Sequence, residues 1–251
     1  MKLIFLFLYL CIFPSPVFAE TIRLASGEWP PFCSQELKYF GMGSRIITEA
    51  FAYEGVEVDY TFLPWARGHD LAKSNKLNGI IFYSRNPERE MNFFFSDPIL
   101  TVDKVFFHLH SYSFDWQSVE DLEGLVIGAT IDYDFGDDFR QAERTEQIKV
   151  ERITTDVANL RKLIAGRIHL FPTMIESGYA TILQEFPEHL NKITHHSTPV
   201  QTTEMHLMLP KKSTNSLKLI EKFNLGLKKL KASGRYDQFF IESRSGAYIV
   251  Q

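Results

Sequence analysis

Cysteine is scarce in this chain. Its 251 residues hold two, Cys11 and Cys33. The first falls in a removable leader, and the single remaining thiol can build neither an internal disulfide framework nor a thiolate metal site. Cys33 reads as a half-buried passenger. Positive charge is outnumbered as well: 27 Lys and Arg face 31 Asp and Glu, a net charge of −4, which leaves no basic footprint for nucleic acid. Beyond the leader, no stretch approaches the ~18 consecutive apolar residues of a membrane-spanning helix. Gly-x-Ser-x-Gly, phosphate-loop and zinc-helix patterns are missing. The adjacent His195 and His196 would point to opposite sides of a strand and have no third ligand close by. Neither a metal nor a cofactor is therefore expected.

What is present starts with the leader. Residues 1–19, MKLIFLFLYLCIFPSPVFA, combine one lysine, an apolar run, a Pro-Ser-Pro break and Val17-Phe18-Ala19, the pattern of a secretory signal peptide. The bulky Leu10 before Cys11 argues against a lipid anchor. An exported, soluble mature chain of about 230 residues is expected, enough for one large domain or two lobes of ~100 each. Hydrophobic residues make up 45% and charged residues 23%, a balance that can bury a core.

Strand and helix patterns alternate along the chain. TIRLAS (21–26) reads as a strand, 44–55 as an amphipathic helix with a glycine stop, 56–63 as an alternating strand, 65–75 as a short helix and GIIFY (79–83) as a buried strand. The order then restarts: strand 103–111, a capped short helix at 118–124, strand 125–131, helix 137–147, strand 149–153, helix 154–167 and strand 168–175. A strand (204–211) and a long amphipathic helix (215–234) close the pattern. This order predicts an α/β layer architecture with a largely parallel sheet. Residues 71–82 and 160–173 resemble each other weakly, each ending a helix before an apolar strand. That fits two similar lobes with a cleft between them, where small ligands usually bind.

Three motifs carry a family resemblance: IRLASGEWPPF (22–32), GIIFYSRNPEREMNFFFSDP (79–98) and LKKLKASGRYDQFF (227–240). With them, essentially the whole mature chain resembles the periplasmic solute-binding proteins of the amino-acid type, family 3, which serve ABC transporters. The resemblance implies a two-lobe periplasmic-binding-protein-like fold (type II), with a ligand cleft between lobes joined by a two-segment hinge. Lobe 1 would comprise 20–104 and 204–251, lobe 2 would comprise 105–203, and the crossings would fall near 102–108 and 199–205.

The resemblance also assigns roles. Arg89 matches the arginine that grips a ligand carboxylate, a task its forked, permanently charged guanidinium suits. The alternative is an ordinary ion pair with Glu88, Glu90 or another surface carboxylate. Ser84 falls where a hydroxyl helps hold the carboxylate, and Phe82 where a backbone carbonyl meets the ligand amine. Trp29, with Phe32 near it, and Trp65 would be aromatic walls, or else core residues. Arg67 could add to an anion site. Glu28 could pair with a ligand amine or simply be solvated. In lobe 2, Thr130, Asp132 and Tyr133 sit in a strand-to-helix turn that would offer N–H groups to an anion, although Asp134, Asp137 and Asp138 could occupy those donors as caps. Met174 takes the position where an acid usually binds the ligand amine, with Glu176 two residues on. This departure puts an ordinary α-amino-acid ligand in doubt.

The leading expectation is a periplasmic, monomeric, non-enzymatic binding protein. It would capture a small anionic or zwitterionic solute and present it to an ABC permease or a membrane sensor. Two alternatives stand beside it: a cleft enzyme of the same fold, of cyclic carboxylate dehydratase type, with Glu28, Glu176 or Asp132 as acid, and a degenerate interaction domain without a ligand.

Overall fold

The structure is a computed structural model and describes residues 20–131 and 133–250. The proposed leader with Cys11, and Asp132, lie outside the described residues.

Strand β1 (Glu20–Ser26) buries Ile22, Leu24 and Ala25 completely. Helix α1 (Met42–Ala52), strand β2 (Val56–Phe62), helix α2 (Trp65–Lys73) and strand β3 (Gly79–Tyr83) follow. Both β2 and β3 pair with β1 in parallel, because a helix returns the chain to the same end between consecutive strands. Helix α3 (Pro87–Asn92) is short. Asn86 caps it, its side-chain oxygen accepting from Arg89 N at 2.8 Å, with Pro87 at the first helical position. Strand β4 (Phe93–Phe95) follows at once.

Strand β5 (Leu100–Leu109) is ten residues long. After a 3-10 turn closed by a Ser118–Asp121 capping box come strand β6 (Val126–Thr130), helix α4 (Asp137–Arg144), strand β7 (Lys149–Ile153), helix α5 (Asp156–Ile164), strand β8 (Phe171–Met174), helix α6 (Ile175–Glu185) and strand β9 (Ile193–His195). Strand β10 (Gln201–Pro210) and helices α7 (Ser216–Ala232) and α8 (Arg235–Arg244) complete the described chain.

The sheet departs from a largely parallel arrangement. Its order is β2-β1-β3-β10-β5-β8, with β4 paired to β10 and β9 to β5, and β6–β7 form a separate parallel pair. Every partner of β5 and β10 runs antiparallel to it. The physical reason is chain direction. One of these strands carries the chain out of the first lobe and the other carries it back, so they meet head to tail from Leu100↔Met205 to Lys104↔Gln201.

The core divides along these strands. Leu100 and Val102 of β5 pack with Leu24, Phe51 and Leu207, whereas Val105 and Phe107 pack with Leu160 and Ile182. A further cluster gathers around Phe106, Ile127 and Phe139, apart from the first core. Within three residues, one strand changes from one core to the other. The expected strand at 168–175 is shorter than the sequence suggests, since Ile175 already opens α6. The aromatic run 93–95 is a strand that its unbroken apolar pattern did not announce.

Helix α7 lays Leu219, Phe223, Leu227 and Leu230 against the first core, with the Phe51 and Phe223 rings 5.2 Å apart. Its Gly226 lets the backbones of α7 and α1 touch: a Cβ there would lie 1.9 Å from the Ala50 carbonyl oxygen. Gly226→Ala must push the helices apart and should cost about 2 kcal/mol. For a domain of this size that is a fall of ~4–8 °C in melting temperature, checked by thermal denaturation. An unchanged melting point would contradict this packing.

Candidate functional site

The C-terminal ends of parallel strands are where open α/β sheets hold ligands. The segments leaving β1 and β3 build a cleft of about 400 Å³ there. Its walls are Glu28 and Trp29 after β1, Trp65 at the start of α2, Phe82, Tyr83 and Ser84 at the end of β3, Arg89 on α3, and Met205 on β10.

Aromatic side chains hold one another around it. Trp29 sits 4.4 Å from Phe32 and 5.9 Å from Phe82, ring to ring. Trp65 meets Tyr83 edge-on at 6.0 Å, and the Tyr83 hydroxyl donates to the Trp65 carbonyl at 3.3 Å. Gly27 makes room for Trp65, because a Cβ at that position would fall 2.3 Å from the indole. Phe82 has φ 62°, a left-handed backbone that a bulky residue adopts only where the surrounding fold imposes it. Such strain gathers at functional sites.

Arg89 is the cation of this cleft. Its Nη1 donates to the Ser84 carbonyl at 2.7 Å and to Ser84 Oγ at 3.1 Å, and its guanidinium lies over the Tyr83 ring at 4.8 Å. Among the described residues no carboxylate lies within ion-pairing distance of it. Glu90, a neighbour with which it could have paired, stands instead against Arg85 at 3.7 Å. The positioned, half-buried guanidinium thus keeps hydrogen-bonding capacity for something that is not protein. Glu28, an exposed side chain lining the same cleft, carries the opposite charge. Gln35 donates to its Oε1 through the backbone N–H at 3.2 Å and through Nε2 at 3.4 Å. Partial burial pushes the carboxyl up, but the Ser34 and Gln35 donors outweigh it and hold Glu28 below the usual carboxylate range.

Trp29, Trp65, Phe82, Ser84 and Arg89, singled out from sequence, therefore line one cleft. Thr130, Tyr133, Met174 and Glu176 do not line it. The Thr130 hydroxyl donates to Asp156 Oδ1 at 2.5 Å and accepts from Asn159 Nδ2 at 3.2 Å. Tyr133 packs on the second lobe's core, and its carbonyl accepts from Arg152 at 3.2 Å. The acidic turn is occupied by its own partners. Asp134 Oδ1 accepts from Gly136 N at 3.1 Å and Asp134 Oδ2 from Arg140 at 3.0 Å, and Asp137 also pairs with Arg140. Met174 packs against the first core. Glu176 is buried and ion-paired with Arg244, whose Nη2 reaches Oε1 at 2.5 Å and whose Nε lies 3.1 Å from Oε1 and 3.3 Å from Oε2.

Two cleft residues had no sequence signal. Met205 lies far along the chain and arrives because β10 pairs with β3. Tyr83 was hidden as the partly buried end of an apolar strand. No group of three or more His, Cys, Asp or Glu side chains among the described residues could hold a metal ion.

The family model "Bacterial extracellular solute-binding proteins, family 3" matches residues 22–242. A comparison with curated proteins finds no match. Among solved structures, the second substrate-binding domain of GlnP from Lactococcus lactis, in an open conformation, is similar at a TM-score of 0.75 and 18% identity over 91% of this chain and 97% of that one. The second substrate-binding domain of a putative amino acid ABC transporter from Streptococcus pneumoniae gives 0.73 and 20%, over 92% and 100% of the two chains. A histidine kinase sensor domain with similarity to periplasmic binding proteins gives 0.55 and 19%, over 88% and 95%. At these identities the likeness is one of fold.

Proposed function

The chain belongs to family 3 of the bacterial extracellular solute-binding proteins, and from that premise we propose that it captures a small, carboxylate-bearing, amino-acid-like solute between two closing lobes. The observation that carries this reading is Arg89: a guanidinium fixed by Ser84, stacked on Tyr83 and without a carboxylate partner among the described residues, facing an aromatic cleft. A ligand carboxylate would accept its remaining N–H donors, and Trp29 and Trp65 would cover the ligand's apolar part.

We divide the lobes as 20–104 with 204–251, and 105–203. The paired strands β5 and β10 then act as the two-segment hinge. Closure would bring the second lobe over the cleft and strip water from the carboxylate, strengthening its pairing with Arg89. The closed form would be read by a membrane partner, an ABC permease or a sensor. Among the described residues no helix is long and apolar enough to cross a membrane. With residues 1–19 acting as an export signal, the protein would work in the periplasm as a monomer.

The enzyme reading is less well supported. A cleft acid must hold a proton near neutral pH, yet Glu28 is kept below the usual carboxylate range and Glu176 is committed to Arg244. A formed cleft with an available cation likewise favours a ligand over a degenerate interaction domain.

The test is thermal stability against a panel of amino acids, polyamines and small carboxylates. A ligand at about 100 times its Kd stabilises by roughly 2.7 kcal/mol, which for this size is a rise of ~5–10 °C. A shift confined to one carboxylate-bearing class is the expected result. No shift with any carboxylate would sink the proposal.

A further inference from the structure

We propose that Glu28 is the ammonium-binding group of this cleft. The first lobe alone would then grip both charges of a zwitterionic solute: Arg89 its carboxylate, Glu28 its cationic nitrogen. The proposal rests on the reading of Arg89 above and adds a residue and a ligand class to it.

Three observations point the same way. First, Glu28 is the one carboxylate among the described residues lining the cleft, and Arg89 is the one cation. Second, Glu28 is an exposed side chain of the cleft wall that its neighbours tether without neutralising. Gln35 holds Oε1 with two N–H groups, at 3.2 and 3.4 Å, and no Lys, Arg or His among the described residues lies within ion-pairing distance of the carboxylate. A fixed, unneutralised negative charge on the wall of a binding cleft suits a ligand cation. Third, the second lobe's nearest candidates are otherwise occupied. Met174 presents a thioether, 3.9 Å from Ser177 Oγ, and packs on the first core. Glu176 has both oxygens committed to Arg244.

The remaining walls define the rest of the ligand. Trp29, Trp65, Phe82 and Met205 carry no further charge. Indole faces attract an ammonium as well as an apolar side chain. With no second cation on its walls, the cleft therefore takes a zwitterion with an uncharged, apolar or aromatic side chain rather than an acidic one.

Titration calorimetry with four probes separates this from the Arg89 reading: leucine, phenylalanine, 3-phenylpropionate, which lacks the amine, and 2-phenylethylamine, which lacks the carboxylate. Glu28→Gln keeps the shape and an acceptor for Gln35 while removing the charge. It should weaken phenylalanine or leucine by on the order of 30-fold and leave 3-phenylpropionate within about twofold. Arg89→Ala should weaken all three carboxylates and spare 2-phenylethylamine. If Glu28→Gln binds phenylalanine like wild type, or loses 3-phenylpropionate equally, Glu28 is not the ammonium site, while the Arg89 dependence can still hold. If Arg89→Ala binds every carboxylate like wild type, the underlying reading falls as well. Wild-type protein that binds neither leucine nor phenylalanine overturns the ligand class and with it the role of Glu28.

Discussion

Arg89→Ala should abolish ligand-induced stabilisation while leaving the ligand-free melting temperature within about 4 °C of wild type, because a half-exposed cation without an acidic partner among the described residues contributes under ~1 kcal/mol to folding. The two effects separate because of what Arg89 touches. Its protein contacts are the Ser84 carbonyl and hydroxyl and the face of Tyr83. Ser84 can turn to water when the guanidinium is gone. On the proposed reading, a bound carboxylate could not, because closed lobes would shut it away from water. Leaving that charge unpaired should cost about 3–5 kcal/mol, or roughly 100- to 1,000-fold or more in affinity. Arg89→Lys should recover only part of this, since an ammonium keeps the charge and loses the fork. Calorimetry on both variants with the solute found in the melting panel measures the ratio. A tenfold loss or less in Arg89→Ala would mean that the carboxylate is held elsewhere.

The second large effect concerns stability. Arg244→Ala should lower the melting temperature by ~6–12 °C, which corresponds to about 3 kcal/mol for a chain of this size. Glu176 has a side chain only 7% exposed, and Arg244 closes on it from the end of α8. Removing the arginine strands a carboxylate away from water, and breaking such a pair ordinarily costs 3–5 kcal/mol. The lower end applies because the Arg244 side chain is 42% exposed and water can enter after it. The pair also joins the two halves of the molecule. Helix α6 packs Ile175, Tyr179 and Ile182 on the second core, whereas α8 places Phe239 in the first. Glu176→Met combined with Arg244→Leu removes both charges and should regain most of the loss. Scanning calorimetry of the two variants decides it. If the double variant melts no higher than Arg244→Ala, the cost lies in packing and not in a stranded charge.

Much of the first lobe was legible because its determinants are local. GIIFY is a compact apolar run bounded by turn residues, and it occupies β3 residue for residue. The helix at 44–55 shows its buried face as Ile46, Ile47, Ala50 and Phe51. Trp29, Trp65, Phe82, Ser84 and Arg89 could be gathered from sequence through the family resemblance, and they lie at or just beyond the ends of β1, β2 and β3. Glu28 was open between solvated and functional; its side chain is exposed, and what the structure adds is its tether to Gln35, seven residues on, with no described cation within ion-pairing distance.

The second lobe was less legible, for the same reason in reverse. Thr130 stands at a strand end that looks free in sequence. Its hydroxyl is taken by Asp156, 26 residues on, and Asp156 also accepts from Thr173. Glu176 looks like an available acid until Arg244 arrives from 68 residues away. Side chains at strand ends compete for partners, and the winner is set by how elements pack rather than by their neighbours in the chain.

The sequence alone settled the alternation of strands and helices and the position of a charged fork after an apolar strand, and it carried the family motifs. Each of these rests on periodicity, turn chemistry or adjacency, which act over a few residues. Tertiary structure decided the antiparallel crossing of β5 and β10, the arrival of Met205 beside β3, the commitment of Glu176 to Arg244, and the freedom of Arg89 from any described acid. These are long-range pairings. They depend on which surfaces meet once the hydrophobic faces are buried, and no local stretch of the chain carries that information.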